Sequence, residues 1–262
     1  MRIAVIGLAP GGAAERAAEQ HRASCGLPPE ELEVQVHSAG PVPTRRRAAL
    51  EAPGPDLVAW VEDTGDPQSG WAHAAHARFR DEPDLLALSG PIRGQGLDAR
   101  GWGWLVHEYG PWLKATDGDQ TTLPGHLLVV RRAVALEVLG DEAPREDVLL
   151  PRLAARGRLA LDARLTVTLR RPPASGLLAA QVGHARGWAG RARGQWPPAA
   201  RAARVAGWPL IAALRARRAA AALPEQVPPG SAAHAAAFSA AWALGEGLGA
   251  LLGPPSSEGF WS

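Results

Sequence analysis

The apolar run Leu57-Val58-Ala59-Trp60-Val61 ends directly on Glu62-Asp63. A buried strand that finishes on an acidic pair is how an α/β fold places carboxylates at the carboxyl edge of its sheet, where ligands bind. Three further segments follow in a fixed order: Ser89-Gly90-Pro91, then Leu123-Pro124-Gly125 leading into Arg131-Arg132, then Arg145-Glu146-Asp147. The last opens a helical pattern with a second acidic pair, which is placed to supply a base to the same crevice.

A chain of 262 residues, 46% hydrophobic and 21% charged, has the composition of a globular protein and can bury a full core. Net charge is +2, and the basic side is nearly all arginine, Lys114 being the only lysine. A GC-rich genome accounts for much of the Ala, Arg, Gly and Pro. Arginine also offers a planar fork suited to phosphate. Cys25 stands alone, so no intrachain disulfide can form, and a reducing, cytoplasmic compartment is the natural expectation. Met1-Arg2 followed by Ile3-Ala4-Val5-Ile6 reads as a first core strand and not as a secretory leader.

The punctuation of the chain divides it into elements. Ile3–Ile6 and Glu33–His37 read as strands around a helix from Ala13 to Ser24, a β-α-β opening. Thr44 is the expected cap of a helix from Arg45 to Ala52. Leu57–Val61 is the next strand, Asp66-Pro67 and Gly70 form a loop, and Trp71–Phe79 is helical. Leu85–Leu88 is a strand, and the glycine-rich stretch Gly94 to Gly103 is expected to be an irregular loop ahead of a Trp104–Tyr109 element. Leu127–Val130 is a strand, Ala133–Leu139 a helix, and Glu146–Arg156 a helix whose acidic start suits its macrodipole. Leu159–Ala160 and Leu165–Leu169 complete a late strand region. Beyond Pro172-Pro173 the composition turns to Arg, Ala and Trp and helices predominate. The expected division is therefore 1–172 and 173–262.

Taken together, the four segments resemble a family 2 glycosyltransferase of the GT-A fold, most strongly from about Arg46 to Ala192. The resemblance implies an α/β architecture: a Rossmann-type mixed sheet flanked by helices, with a C-terminal helical appendage. It implies transfer of a sugar from a nucleotide-diphosphate donor to an acceptor hydroxyl, inverting and metal-dependent. Glu62-Asp63-Thr64 stands where the family carries its DXD-type motif, which assigns Asp63 and Glu62 to a divalent metal, Mg²⁺ or Mn²⁺. Such an ion is held by one or two carboxylates together with the phosphates. Arg145-Glu146-Asp147 corresponds to the family's Glu-Asp motif, so Asp147 is the implied general base, with Glu146 orienting or substituting for it. Arg46 matches the arginine of the Arg-Asn motif, which implies a contact with the nucleotide donor, with Arg47 in place of the asparagine. Ser89, Gly90 and Pro91 resemble the Gly-Gly-Pro turn beneath the donor sugar. Gly125 and His126 fall in a Pro-Gly-Asn-Asn-like segment whose two asparagines are replaced.

Other readings of the same residues are structural. An acidic pair can be solvated at a strand end, acids are favourable in the first turn of any helix, and a histidine in a turn is commonly just polar. The family's usual Asp at the end of the second strand is missing from Val34-Gln35-Val36-His37-Ser38, which leaves base recognition to Gln35, His37 or backbone groups. The first loop, Gly7-Leu8-Ala9-Pro10-Gly11-Gly12, fails the dinucleotide glycine spacing.

The tail interleaves Arg186, Arg191, Arg193, Arg201 and Arg204 with Trp188, Trp196 and Trp208. Arg186-Gly187-Trp188 and the Gly245-Glu246-Gly247…Gly253-Pro254 ending resemble segments of membrane-associated transferases, making Arg186 and Trp188 weak candidates for diphosphate or acceptor contact. Arg and Trp together suit a membrane interface on the inner face of the cell membrane, and a lipid-linked or saccharide acceptor follows. No nucleic-acid module is recognisable. From Ala232 to Gly253 the chain is apolar enough to border on a membrane span, although Glu246 is costly in lipid; a helix packed on the protein or lying at a membrane surface is the other expectation. The rival to an enzyme is a catalytically silent GT-A-like binding or assembly subunit at the membrane, in keeping with the altered motifs.

Overall fold

The computed structural model describes residues 1–8, 12–170 and 177–255. The centre of the first-loop motif (Ala9-Pro10-Gly11) and the Pro172-Pro173 break lie outside the described residues. In chain order the first elements are β1 (Arg2–Ile6), α1 (Ala13–Ser24), β2 (Glu33–His37), α2 (Val42–Glu51), β3 (Leu57–Glu62), β4 (Gly65–Pro67), α3 (Trp71–Asp81), β5 (Leu85–Ser89) and β6 (Ile92–Gly94). They are followed by α4 (Ala99–Tyr109), β7 (Gly118–Asp119), β8 (Leu127–Arg131), α5 (Arg132–Leu139), α6 (Glu146–Ala154), β9 (Arg158–Leu161) and β10 (Val167–Leu169). Four helices close the described chain: α7 (Leu177–Ala192), α8 (Pro198–Ala206), α9 (Trp208–Ala222) and α10 (Ser231–Leu252).

Seven strands form one sheet in the order β2-β1-β3-β8-β5-β9-β7. β1 runs parallel to β2 and β3, and β5 parallel to β9, whereas β8 is antiparallel to both of its neighbours. The interior strands are continuous apolar runs because both faces are covered: every residue of β1 and β5, and Leu57–Val61 of β3, is buried. A three-stranded sheet, β4-β10-β6, adjoins them in sequence. This mixed α/β sheet flanked by helices, with helices following it, is the architecture that the resemblance implies.

One buried charge organises the start of the sheet. Arg2, wholly enclosed in β1, donates to Glu33 and to the carbonyls of Ala49, Ala52 and Pro53, so it satisfies the last carbonyls of α2. Gly54 follows at φ 144°, where a Cβ would lie 2.5 Å from the Arg2 guanidinium. Only glycine fits both conditions.

The compact units are not the expected halves. One comprises Met1–Gln95 and Ala115–Arg170; the other joins Gly96–Lys114 to the described residues that follow Arg170. The glycine-rich stretch expected to be a loop is in part the helix α4, capped by Asp98, whose carboxylate accepts from the Gly101 amide at 2.7 Å. Its glycines permit close helix packing: a Cβ on Gly103 would meet the His234 side chain of α10 at 2.4 Å. Two smaller corrections concern local signals. Thr44 does not cap α2, which begins at Val42 with Pro43 in its first turn, where the missing N–H is harmless. Asp66-Pro67, expected to be loop, belongs to β4, which pairs with β10.

In the second unit α10 packs against α7, α9, α4 and α8. Its glycines set the separation: a Cβ on Gly245 would lie 2.3 Å from the Val182 carbonyl, and one on Gly249 2.4 Å from the Arg186 carbonyl. Glu246, buried in the same helix, pairs with Arg204 of α8 at 3.1 Å and Arg215 of α9 at 3.2 Å. Among the described residues α10 is the one helix long and apolar enough to cross a bilayer, and half of its apolar stretch is buried in the protein.

Candidate active site

β3 delivers Glu62 to the carboxyl edge of the large sheet. Its backbone there is fixed on both sides: the Glu62 amide donates to the His126 carbonyl at 3.0 Å, and the Asp63 amide to the Ile6 carbonyl at 3.2 Å. The two acidic side chains have different environments. Asp63 Oδ1 accepts the Leu8 amide at 2.8 Å and so braces the exit of β1. Glu62 is flanked by two nitrogen bases, with Oε1 3.4 Å from Arg46 and Oε2 against His126 Nδ1.

Arg46 is the hub. It projects from α2 and is 3% exposed, with its guanidinium 5.7 Å from the Trp60 ring centroid. One nitrogen meets Glu146 Oε1 at 2.5 Å, and the other reaches Glu62 and the Gly125 carbonyl at 3.4 Å. Arg45 beside it donates to the Gly7 carbonyl. Glu146 can lie against the 125–126 turn because residue 125 is glycine: a Cβ there would fall 1.9 Å from Glu146 Oε1. Arg46, Glu62, Gly125, His126 and Glu146, distant in sequence, therefore form one cluster.

The neighbouring residues support it. The buried hydroxyl of Ser89 lies 2.6 Å from the Leu127 carbonyl and 3.1 Å from that of Pro124, which ties the end of β5 to the same turn. Gly90 is required by packing, since a Cβ would lie 1.9 Å from the Leu165 carbonyl. The Pro91 carbonyl accepts the Val167 amide at 3.0 Å, and Ser89, Gly90 and Pro91 are all buried. Asp147 sits in the first turn of α6, partly exposed, with Oδ1 3.5 Å from Arg145 Nε. Arg47, in the place of the family's asparagine, reaches the Gly140 carbonyl and Glu51. Where the second-strand Asp is missing, β2 carries a polar ladder on one face: Gln35 donates to Glu33 at 2.6 Å, and His37 Nε2 lies 3.1 Å from Gln35. Burial, and secondarily Arg2, lower the His37 pKa.

Arg186 and Trp188 belong to the second compact unit and are engaged in its packing. Arg186 donates to the Gly253 carbonyl at 3.3 Å, and the Trp188 ring lies 5.6 Å from that of Trp196.

Both oxygens of Glu62 face nitrogen groups. Among the described residues no group of three or more His, Cys, Asp and Glu side chains gathers as an all-protein metal site, and an ion held by one or two carboxylates together with a donor's phosphates does not need one. The contact of His126 with Glu62, and the bridge that Arg46 makes between the two acidic motifs, carry no local signal in the sequence. The spacing of Arg46 from β3 was visible; its two partners depend on the fold of α2 over the strand ends. A shallow cleft lined by Met1, Glu31, Glu33 and His76 lies at the opposite, amino-terminal edge of β1 and has no part in this cluster.

No family model matches the chain, and no curated protein matches it. Solved structures that resemble it include A197 from STIV, with 11% identity, 66% of this chain and 86% of that chain covered, and a TM-score of 0.43. Another is S. aureus TarS in complex with UDP-GlcNAc, at 15% identity and a TM-score of 0.46 over 67% of this chain and 60% of that one. The mannosyltransferase PcManGT from Pyrobaculum calidifontis, in complex with GDP-Man and Mn²⁺, gives 14% identity and a TM-score of 0.47 over 95% of this chain and 73% of that one. The match thus spans less than two thirds of the TarS chain, and identity at this level transfers no residue role.

Proposed function

We propose that the protein is an inverting glycosyltransferase of family 2 type, moving a sugar from a nucleoside-diphosphate donor to an acceptor hydroxyl. The observation that carries this reading is the convergence of Arg46, Glu62, His126 and Glu146 at the carboxyl edge of the sheet, beside Asp147. Asp147 takes the proton from the acceptor hydroxyl, and Glu146, held by Arg46, fixes the first turn of α6 and with it the position of the base. Ser89, Gly90, Pro91 and Gly125 shape the floor on which the donor rests; they do so through backbone and volume. The donor's diphosphate leaves with negative charge, which a divalent metal held by Asp63 and Glu62 together with the phosphates would neutralise. The acceptor is lipid-linked or a saccharide, and the protein works peripherally at the inner face of the cell membrane.

The second reading, a catalytically silent GT-A-like subunit, is favoured by one specific observation: Glu62 and Glu146 are already paired with Arg46, and Glu62 with His126. Calorimetric titration with a panel of nucleoside diphosphates and their sugars, with and without Mn²⁺, separates the two. Saturable binding of one donor supports the enzyme. In that case Asp147→Asn should lower turnover by about 10²–10⁴-fold with donor binding unchanged. Absence of binding across the whole panel supports the silent subunit instead.

A further inference from the structure

The sequence from Asp162 to Glu225 contains no acidic residue between those two, yet from Leu177 onward it carries eight arginines before Glu225. The next acid, Glu246, is buried and already joined to Arg204 and Arg215. The sequence of these helices thus sets few carboxylates against its arginines.

α9 shows where that charge is offered. Its helical spacing puts Leu210, Leu214 and Arg217 on one stripe, at i, i+4 and i+7. A helix packed on a protein in water turns such leucines inward. Here Leu210 is 66% and Leu214 48% exposed, while Arg215 points inward to Glu246. The helix is thus turned with its leucines out, and the same outward side carries the exposed Arg217 and Arg218 in its second half.

The apolar area continues onto α10. Trp208, at the start of α9 and 36% exposed, adjoins Gly247, where a Cβ would meet its Cβ at 3.7 Å. Leu244 and Leu251, three residues before and four after Gly247, share that face and are likewise exposed.

We propose that this face, formed by Trp208, Leu210 and Leu214 with Arg217 and Arg218, docks the protein onto an anionic phospholipid surface. α9 lies in the plane of the interface. Its leucines enter the acyl boundary, Trp208 sits at headgroup depth, and the two arginines meet lipid phosphate. Acidic headgroups complement a segment that lacks acids, and lipid accepts leucines that a nucleic acid backbone would not. α10 does not cross the bilayer in this arrangement, because Glu246 ties it to α8 and α9 through two arginines. The inference deepens the membrane-associated reading above and does not depend on donor chemistry.

The test is co-flotation of the full chain with vesicles of phosphatidylcholine alone or mixed with phosphatidylglycerol, in the absence of any sugar nucleotide. Binding to the anionic vesicles, weakened by salt, is expected. Arg217→Gln with Arg218→Gln should reduce it by about 30-fold, at about fivefold per arginine near the surface. Leu210→Ser with Leu214→Ser should reduce it by at least about tenfold. All four positions are exposed, and circular dichroism verifies that the variants remain folded. The proposal is overturned if the wild-type chain ignores anionic vesicles or if the leucine variant binds as well as wild type. It is also overturned if the face proves to hold two copies together, seen as a dimer that the leucine variant dissolves, or if a single-stranded oligonucleotide competes the chain off the vesicles. A failure here leaves the donor titration standing, and a failed donor titration leaves this one standing.

Discussion

Arg46 is the residue on which the two acidic motifs depend. Its guanidinium carries the charge between Glu62 and Glu146, and it does so from a position almost sealed from water. Removing it leaves two carboxylates facing one another around Gly125 with no cation between them. Arg46→Met should therefore destabilise the fold by about 3 kcal/mol, the lower end of the cost of breaking a buried pair, measured by denaturant unfolding. Arg46→Lys should recover only part of this loss, since an ammonium cannot offer the planar fork that spans two carboxylates and a carbonyl. Gly125→Ala tests the same contact from the other side, because its Cβ falls on Glu146 Oε1. If Arg46→Met unfolds like wild type, the bridge is not a structural device. The assignment of Arg46 as a donor contact, which the resemblance implies, then becomes the better one.

At the scale of elements, local periodicity made most of the sheet legible. The strands β1, β2, β3, β5 and β8 are short apolar or alternating runs between turn residues, and their hydrophobic pattern specifies them wherever they pair. The same patterns hid α4, because Gly101 and Gly103 are poor helix formers and read as a loop; the reason for Gly103 lies in α10, outside any local window. The strands β4, β6 and β7 are two or three residues long and exist only through their pairing, so no window could reveal them. In the site, the segments that residue type and order single out lie together in the fold, whereas the pairing of Arg46 and His126 with Glu62 is tertiary and leaves no signal in the sequence. Tertiary contact also sets the separation of α7 and α10. On Gly249 a Cβ would meet backbone atoms of Arg186 and Gly190 at 2.4 and 2.8 Å, and backbone cannot move aside as a side chain can. Gly249→Ala should cost about 1–3 kcal/mol through overpacking. Gly194→Ala, with nothing within 4 Å, is the control and should stay within about 0.5 kcal/mol. Equal melting of the two variants would show that the helices are not in close contact at Gly249.

At the scale of the whole molecule, each compact unit encloses a histidine that is neutral when folded, and this gives the protein a defined acid limit. In the sheet unit His21 of α1 is buried edge-on to Trp71, its ring centroid 6.0 Å away, and burial lowers its pKa to about 4 despite the nearby Asp66. In the helical unit His107 of α4 packs against Phe238 and Trp242 of α10, and burial, with Arg215 acting in the same direction, lowers its pKa to about 4. The unfolded chain takes up a proton at each imidazole near pH 6.5, well before the folded chain does. Stability rises with pH wherever the unfolded state holds more protons. The contribution of both residues is therefore complete above about pH 6.5 and falls away as the pH drops toward 4, where the loss levels off at on the order of 3 kcal/mol for each. Thermal melting followed from about pH 7.5 down to about pH 4.5 should show the midpoint falling chiefly below about pH 6.5. His21→Phe and His107→Phe should each remove part of that slope, and the double variant most of it. His107→Phe should act on the transition of the helical unit and His21→Phe on that of the sheet unit, if the two melt separately. A double variant that retains the full wild-type slope would assign the acid limit to the carboxylate clusters around Arg46 and Glu246 and not to these two imidazoles.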